Sequence, residues 1–279
     1  MGEVTVLTDG PFPFQGCALA PAADGLHVHL IPGCSNEIVG AFHVSNSLGY
    51  SVHGFSIVKT VRLGRRIYDN IENATGYLIA VHVPTAGMAV LPLLAGWPMM
   101  FFPVHIVFIE FVIDPACSIA FEAEGEAGGV MKRPPRLPSR RLFDRQSLGI
   151  AIVQGLAVLA ATAGVYGAGL ALAYDAEAAR AAAFACIVFG NLGLILCNRS
   201  RTESILRTWR RPNRAMGWVF AGTLAGLAIV LTVPAMQRLF QFAPIGVVEV
   251  LAAFTAATAA VVLSEVVKLG VPGRRVARP

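Results

Sequence analysis

The amino-acid sequence predicts an all-α fold: a polytopic membrane bundle of six transmembrane helices, arranged as three hairpins, behind a short irregular N-terminal segment. Composition is the first reason. The 279 residues are 55% hydrophobic and 14% charged, with a mean hydropathy of +0.63, far more apolar than soluble domains of ordinary usage. Second, the apolar residues gather into runs of about 20, the length that crosses a hydrocarbon core of about 30 Å. Third, Lys and Arg stand in short clusters between those runs. A formal net charge of +5 could suit nucleic acid, but the clusters carry no interleaved aromatics and no basic recognition motif. Loop topology accounts for them, and no nucleic-acid partner is expected.

Residues 1–54 are mixed and turn-rich, and their fold is not legible from the pattern. Residues 1–20 lack a basic region followed by a continuous apolar core, so insertion is expected to rest on the later helices. His27 and His29, two residues apart, could hold a metal on a strand, but the sequence offers no third ligand in register. The five cysteines, Cys17, Cys34, Cys117, Cys186 and Cys197, form no CxxC pair. They imply neither a disulfide framework nor a zinc site and are expected to be reduced.

Residues 55–76, with "KTVRLGRR", read as a basic cytoplasmic stalk, and residues 77–269 as the membrane domain. The first span, about 77–96, and the second, about 98–121, are separated only by Gly96-Trp97-Pro98 and so form a hairpin. "EAEGEAGGVMKRPPRLPSRRLFDRQ" follows, and its Pro-Pro pair and alternating charges make it a solvated loop. The third span, about 148–174, turns at "DAEAAR" into the fourth, about 181–197. After the basic loop "NRSRTESILRTWRRPNR" come the fifth span, about 215–233, the connection "PAMQRLFQFAP", the sixth span, about 245–269, and a basic tail at 270–279. Cytoplasmic loops carry the excess of Lys and Arg. "KTVRLGRR", "KRPPRLPSRR", "RTWRRPNR" and "GRRVAR" all fall on one side of such a bundle. An integral protein of the plasma (inner) membrane with both termini cytoplasmic is therefore expected.

The chemistry sits in "VHIVFIEFVIDPAC", where Glu110 and Asp114 interrupt an apolar run and Pro115 follows. An ionised side chain at mid-bilayer costs about 2.5–3.5 kcal/mol on insertion scales, so intramembrane acids generally face the bundle interior and serve an ion or proton path. Residues i and i+4 of a helix share a face, which aims both carboxylates at one region. Pro115 has no N–H for the carbonyl of Phe111, and Pro84 does the same to the carbonyl of Ala80, beside His82 and Thr85. Two helices interrupted near mid-membrane and offering oxygen atoms form a candidate cation site. The plainer alternative is that one acid lies near the interface and both prolines are ordinary kinks.

"GRRIYDNIENATGYL", "PVHIVFIEFVIDP", "FEAEGEAGGVMKRPPR" and "NRSRTESIL" together resemble the C-terminal membrane half of P-type cation-transporting ATPases of the calcium-pump-like class. The resemblance runs from about Phe55 to Lys268 and keeps the family's order of stalk, acid-bearing hairpin, Lys-Arg-Pro-Pro loop and two further hairpins. It implies that Asp114 stands where the family has its central ion-binding aspartate and Glu110 where calcium pumps carry an asparagine ligand. It also implies that His82 and Thr85 occupy two fifth-helix positions that such pumps fill with Asn and Glu, and that Asn191 lies near an eighth-helix glutamate position. The substitutions leave the transported ion open between calcium, another cation and protons. The Asp-Lys-Thr-Gly and Gly-Asp-Gly motifs that such pumps use for ATP hydrolysis are not in these 279 residues. No resident cofactor is expected in this chain; Mg-ATP would act only with catalytic domains supplied, for instance by a separate chain. A stand-alone proton-coupled carrier or channel using Glu110 and Asp114, or a non-functional remnant, are the alternative readings.

Overall fold

A computed structural model describes residues 26–32, 38–44, 57–126, 130, 145–200, 204–209 and 213–270. The chain divides into two compact units, residues 1–67 with 129–133, and residues 68–128 with 134–279. The loop at 131–144, the tail at 271–279 and the side chains of residues 26–32 and 38–44, His27 and His29 among them, and of Asp114, Cys117 and Trp209 lie outside the described residues, as do Cys17 and Cys34.

In the first unit the segment expected to be irregular contains a β-hairpin, with β1 (Leu26–Pro32) paired antiparallel to β2 (Ile38–Val44). Alternation in "LHVHLIP" and "IVGAFHV" is the period-two signal of a strand, masked in the sequence by the short length of each run. Arg65 donates from Nη1 to the Val130 carbonyl at 2.8 Å.

Stalk and first span, read separately from the sequence, form one continuous helix α1 (Ile57–Ala95) of 39 residues, with Pro84 and Pro92 inside it. The expected interruption at Pro84 does not end the helix. Membrane helices tolerate proline because neighbouring groups satisfy the freed backbone. Gly96 then turns the chain in the left-handed region, φ 67°, which glycine adopts without a side-chain penalty.

The regular elements of the second unit are all helices among its described residues. α2 (Pro103–Pro115) continues directly into a π-helix at Ala116–Phe121. α3 (Arg145–Ala171), α4 (Ala176–Asn198), α5 (Ile205–Trp209), α6 (Arg214–Thr232), α7 (Pro234–Phe240) and α8 (Val247–Gly270) follow. Five helices are long and apolar enough to cross a membrane, and residues 103–113 form a shorter apolar helix. α4 is buried almost all round, as a helix apolar on every face must be, and α3 and α8 pack on it and on each other. Gly155 lets α1 and α3 approach, since a Cβ there would stand 2.5 Å from the Ala80 carbonyl oxygen. In the fifth span Gly226 lies against the Phe108 ring of α2, while nothing stands within 4 Å of a Cβ at Gly222. Cys186 and Cys197 are free, buried thiols.

The start of the loop read as solvated and the ends of the second basic loop make buried contacts. Glu124 and Arg199 are buried and paired, with Nε to Oε2 at 3.0 Å and Nη2 to Oε1 at 2.9 Å. Asn213 donates to the same carboxylate at 2.9 Å and to the Ala120 carbonyl, while its Oδ1 caps α6 by accepting from the Met216 N–H. Asn70 and Asn73 of α1 donate to the carbonyls of Glu124 and Arg199. Lys268 is likewise buried, against Glu265 and the carbonyls of Cys197 and Ser200.

Candidate cation site

α1 and α2 bring His82 and Glu110 together, with Nε2 and Oε1 3.9 Å apart. The orientation of the imidazole follows from its other nitrogen. Nδ1 lies 2.7 Å from the Leu78 carbonyl, and because a carbonyl only accepts, Nδ1 carries the hydrogen. Nε2 is then either a lone pair or a second N–H. Nε2 thus faces the Glu110 carboxylate across the 3.9 Å gap. Both side chains are about half exposed, 51% for His82 and 41% for Glu110.

The other sequence-expected residues are distributed as follows. Asp114 stands one helical turn after Glu110, so the two positions share a face of α2; its side chain lies outside the described residues. The Phe111 side chain is 76% exposed. Helix α2 does not stop at Pro115 but changes its winding, to the π-helix of 116–121, a form in which each bond spans one residue more than in an α-turn and which recurs at functional sites. Ala80 is fully buried and its carbonyl faces Gly155 of α3. Two residues along a helix are about 200° apart, so it lies nearly opposite His82. Thr85 is buried, and its hydroxyl donates to the Val81 carbonyl of its own helix at 3.0 Å. Asn191, in the C-terminal half of α4, is 1% exposed, and its Oδ1 has no hydrogen-bond partner among the described residues. An unpaired buried acceptor costs about 1–3 kcal/mol, so this oxygen is available to a bound ion or water. No group of three His, Cys, Asp or Glu that could hold a metal ion stands together among the described residues.

His105, at the start of α2, is fully buried. Its Nδ1 accepts from the Phe102 N–H at 2.9 Å, and the rings of Phe101, Phe184, Phe240 and Phe242 surround it. That packing makes it part of the core. Sequence reasoning missed Arg180, which crosses from α4 to bind two carbonyls. Its Nε and Nη2 donate to Met99 at 3.1 and 3.0 Å and its Nη1 to Gln241 at 2.7 Å, with the guanidinium 5.0 Å above the Phe102 ring. The signal was there: a single Arg at the head of an apolar run is costly unless satisfied internally.

The family profile described as "Cation transporting ATPase, C-terminus" matches residues 98–270, more than half of the chain. The chain belongs to this family. Within it, the calcium-transporting ATPase 1 of Lactococcus lactis is 25% identical over 268 residues, covering 95% of this chain and 29% of that protein. The calcium-transporting ATPase of Bacillus subtilis is 30% identical over 194 residues, 67% of this chain and 21% of that protein. The human calcium-transporting ATPase type 2C member 1 is 21% identical over 215 residues, covering 76% of this chain and 23% of the relative. The chain thus spans about a quarter of the length of these relatives, and it is a cation-transporting ATPase C-terminal membrane region.

Proposed function

We propose that residues 77–269 are the cation-translocating membrane part of an ATP-driven pump, crossing the plasma (inner) membrane six times with both termini cytoplasmic, and that residues 55–76 form its stalk. The observation that carries the reading is the meeting of His82 and Glu110 across two adjacent apolar helices. A half-exposed acid on a membrane helix is costly against lipid, so this face suits cover by further protein, as expected of a chain that spans about a quarter of its relatives' length. Glu110 and Asp114 supply the carboxylates, with His82, Thr85, Asn191 and the carbonyls of Ala80 and Phe111 as further donors that ion-driven rearrangement would recruit. The relatives are named for calcium, a cation that takes six to eight oxygens. The imidazole nitrogen of His82 extends the candidates to protons and softer divalent ions. ATP hydrolysis belongs in this reading to sequence outside this chain, on the same polypeptide or a separate catalytic partner.

The test is the thermal midpoint of detergent-purified protein titrated with calcium, magnesium, manganese and zinc at two pH values, because a ligand bound by the folded form raises its stability. At least one ion is expected to raise the midpoint, more strongly at the higher pH where protons compete less. Asp114→Asn should abolish the shift and Glu110→Gln should weaken it. If no ion stabilises the protein at either pH, or if Asp114→Asn responds as the unaltered chain does, the acids are structural. Topology is checked separately: reporter fusions after Gly96 and Asp175 should read external, and those after Arg136 and Pro279 internal. A cytoplasmic signal after Asp175 would overturn the six-crossing arrangement.

A further inference from the structure

A groove runs along the bundle surface between α3 and α8. Its walls are small on both sides: Ala160, Gly164 and Ala168 recur every fourth residue of α3, beside Ala252, Ala256 and Ala259 of α8. These short side chains leave a volume of about 630 Å³ along two helices that touch beneath it. A Cβ at Gly164 would meet nothing within 4 Å. One end of the groove is polar. α3 closes with Ala173 at φ 58° and the Tyr174 N–H on the Gly169 carbonyl at 3.1 Å, a left-handed cap that places Tyr174 in the groove wall. The Tyr174 hydroxyl donates to Oε1 of Glu249, in the first turn of α8, at 3.4 Å. Tyr174 and Glu249 are the only ionisable residues lining the groove. The Glu249 carboxylate has no cationic partner among the described residues.

An acid without a counter-charge at the end of an apolar membrane helix is costly, and it stands where the apolar groove begins. The dimensions select the occupant. Glu249 and Leu263 line the groove fourteen residues apart on α8, about 21 Å at 1.5 Å per residue. That holds a hydrocarbon chain from one leaflet, whose share of the membrane core is about 15 Å. Spread over this length, the volume has a cross-section of about 30 Å², well below the roughly 80 Å² of a helix 10 Å across. The groove therefore admits a single extended chain and not the helix of a partner. We infer that the α3–α8 groove binds one phospholipid with an ethanolamine headgroup, an acyl chain lying along the groove and the ammonium seated on Glu249 and Tyr174. A primary ammonium brings three donors, which the carboxylate and the phenolic oxygen accept. A quaternary choline has none, and an anionic headgroup meets Glu249 with like charge. The inference rests on the chain crossing a membrane and not on the proposed pump function.

Native mass spectrometry reads the site in the detergent-purified full-length chain, offered palmitoyl-oleoyl phosphatidylethanolamine, phosphatidylcholine or phosphatidylglycerol at equal concentration. One ethanolamine lipid per chain is expected to stay bound, favoured over the glycerol lipid by about fivefold, of the order that one charge contributes near a membrane surface. Glu249→Gln should bring that preference close to unity, and Glu249→Lys should reverse it. A reversed order cannot come from misfolding, so this variant keeps the test decisive. Gly164→Leu, which fills open space, should expel the lipid while the thermal midpoint in lipid-free detergent stays within about 2 °C of the unaltered chain's. Equal retention of the three lipids, an unchanged order in Glu249→Lys, or full retention by Gly164→Leu would overturn the site. So would a dimer that Gly164→Leu dissociates, since a second copy would then occupy the groove.

Discussion

Replacing Glu124 with alanine is expected to lower the thermal midpoint of the detergent-solubilised protein by roughly 10 °C. Both charged side chains of the Glu124–Arg199 pair are about 4% exposed and are joined by two short bonds. Removing the acid leaves a buried guanidinium without its carboxylate, which costs about 3–5 kcal/mol, and in chains of this size each kcal/mol moves the midpoint by about 2–4 °C. Asn213 loses an acceptor at the same time. The double variant Glu124→Leu with Arg199→Met should recover most of the loss, since well-packed apolar residues replace buried ion pairs at little cost. A drop below about 2 °C in Glu124→Ala would mean that water reaches the guanidinium and that the node contributes little.

Arg180→Ala is expected to act at the opposite end of the bundle and nearly as strongly. It strips the Met99 and Gln241 carbonyls of their charged donor, at about 1–3 kcal/mol for each unsatisfied acceptor. The segments on either side, before α2 and between α7 and α8, should become sensitive to limited proteolysis added from outside. Arg180→Lys should restore less than half of the lost stability, because an ammonium cannot reproduce the fork that spans two carbonyls. Since the two clusters stand at opposite ends of α4, the losses in an Arg180→Ala, Glu124→Ala double variant should add within about 0.5 kcal/mol. A clearly smaller sum would reveal coupling along the bundle.

The helices were legible because burial in lipid leaves a long, nearly uniform apolar trace, and the spans read at 148–174, 181–197, 215–233 and 245–269 meet α3, α4, α6 and α8 within a few residues. What the trace could not carry was pairing across distance. Glu124 sits in a run of Glu, Gly and Ala and Arg199 at the head of a basic loop, 75 positions away; charge in a polar segment looks solvated until the fold supplies its partner. Ala80 shows the same limit. Chemistry identifies the carbonyl that Pro84 deprives of a donor, but only packing against Gly155 tells which way it faces. His82 and Glu110 were readable as a pair because both interrupt apolar helices that a three-residue turn forces side by side.

The π-helix that follows Pro115 gives α2 one residue of surplus winding. A π-turn holds one residue more than the α-turn it replaces, and one residue corresponds to about 100° of helical rotation. If bonds exchange so that the surplus residue migrates from 116–121 toward the start of α2, the stretch it passes turns by that angle while its backbone pairs stay almost fully made. Glu110 and Asp114 occupy that stretch. Relocating that single residue of slack would turn positions 110 and 114 together about the helix axis, without unwinding the helix.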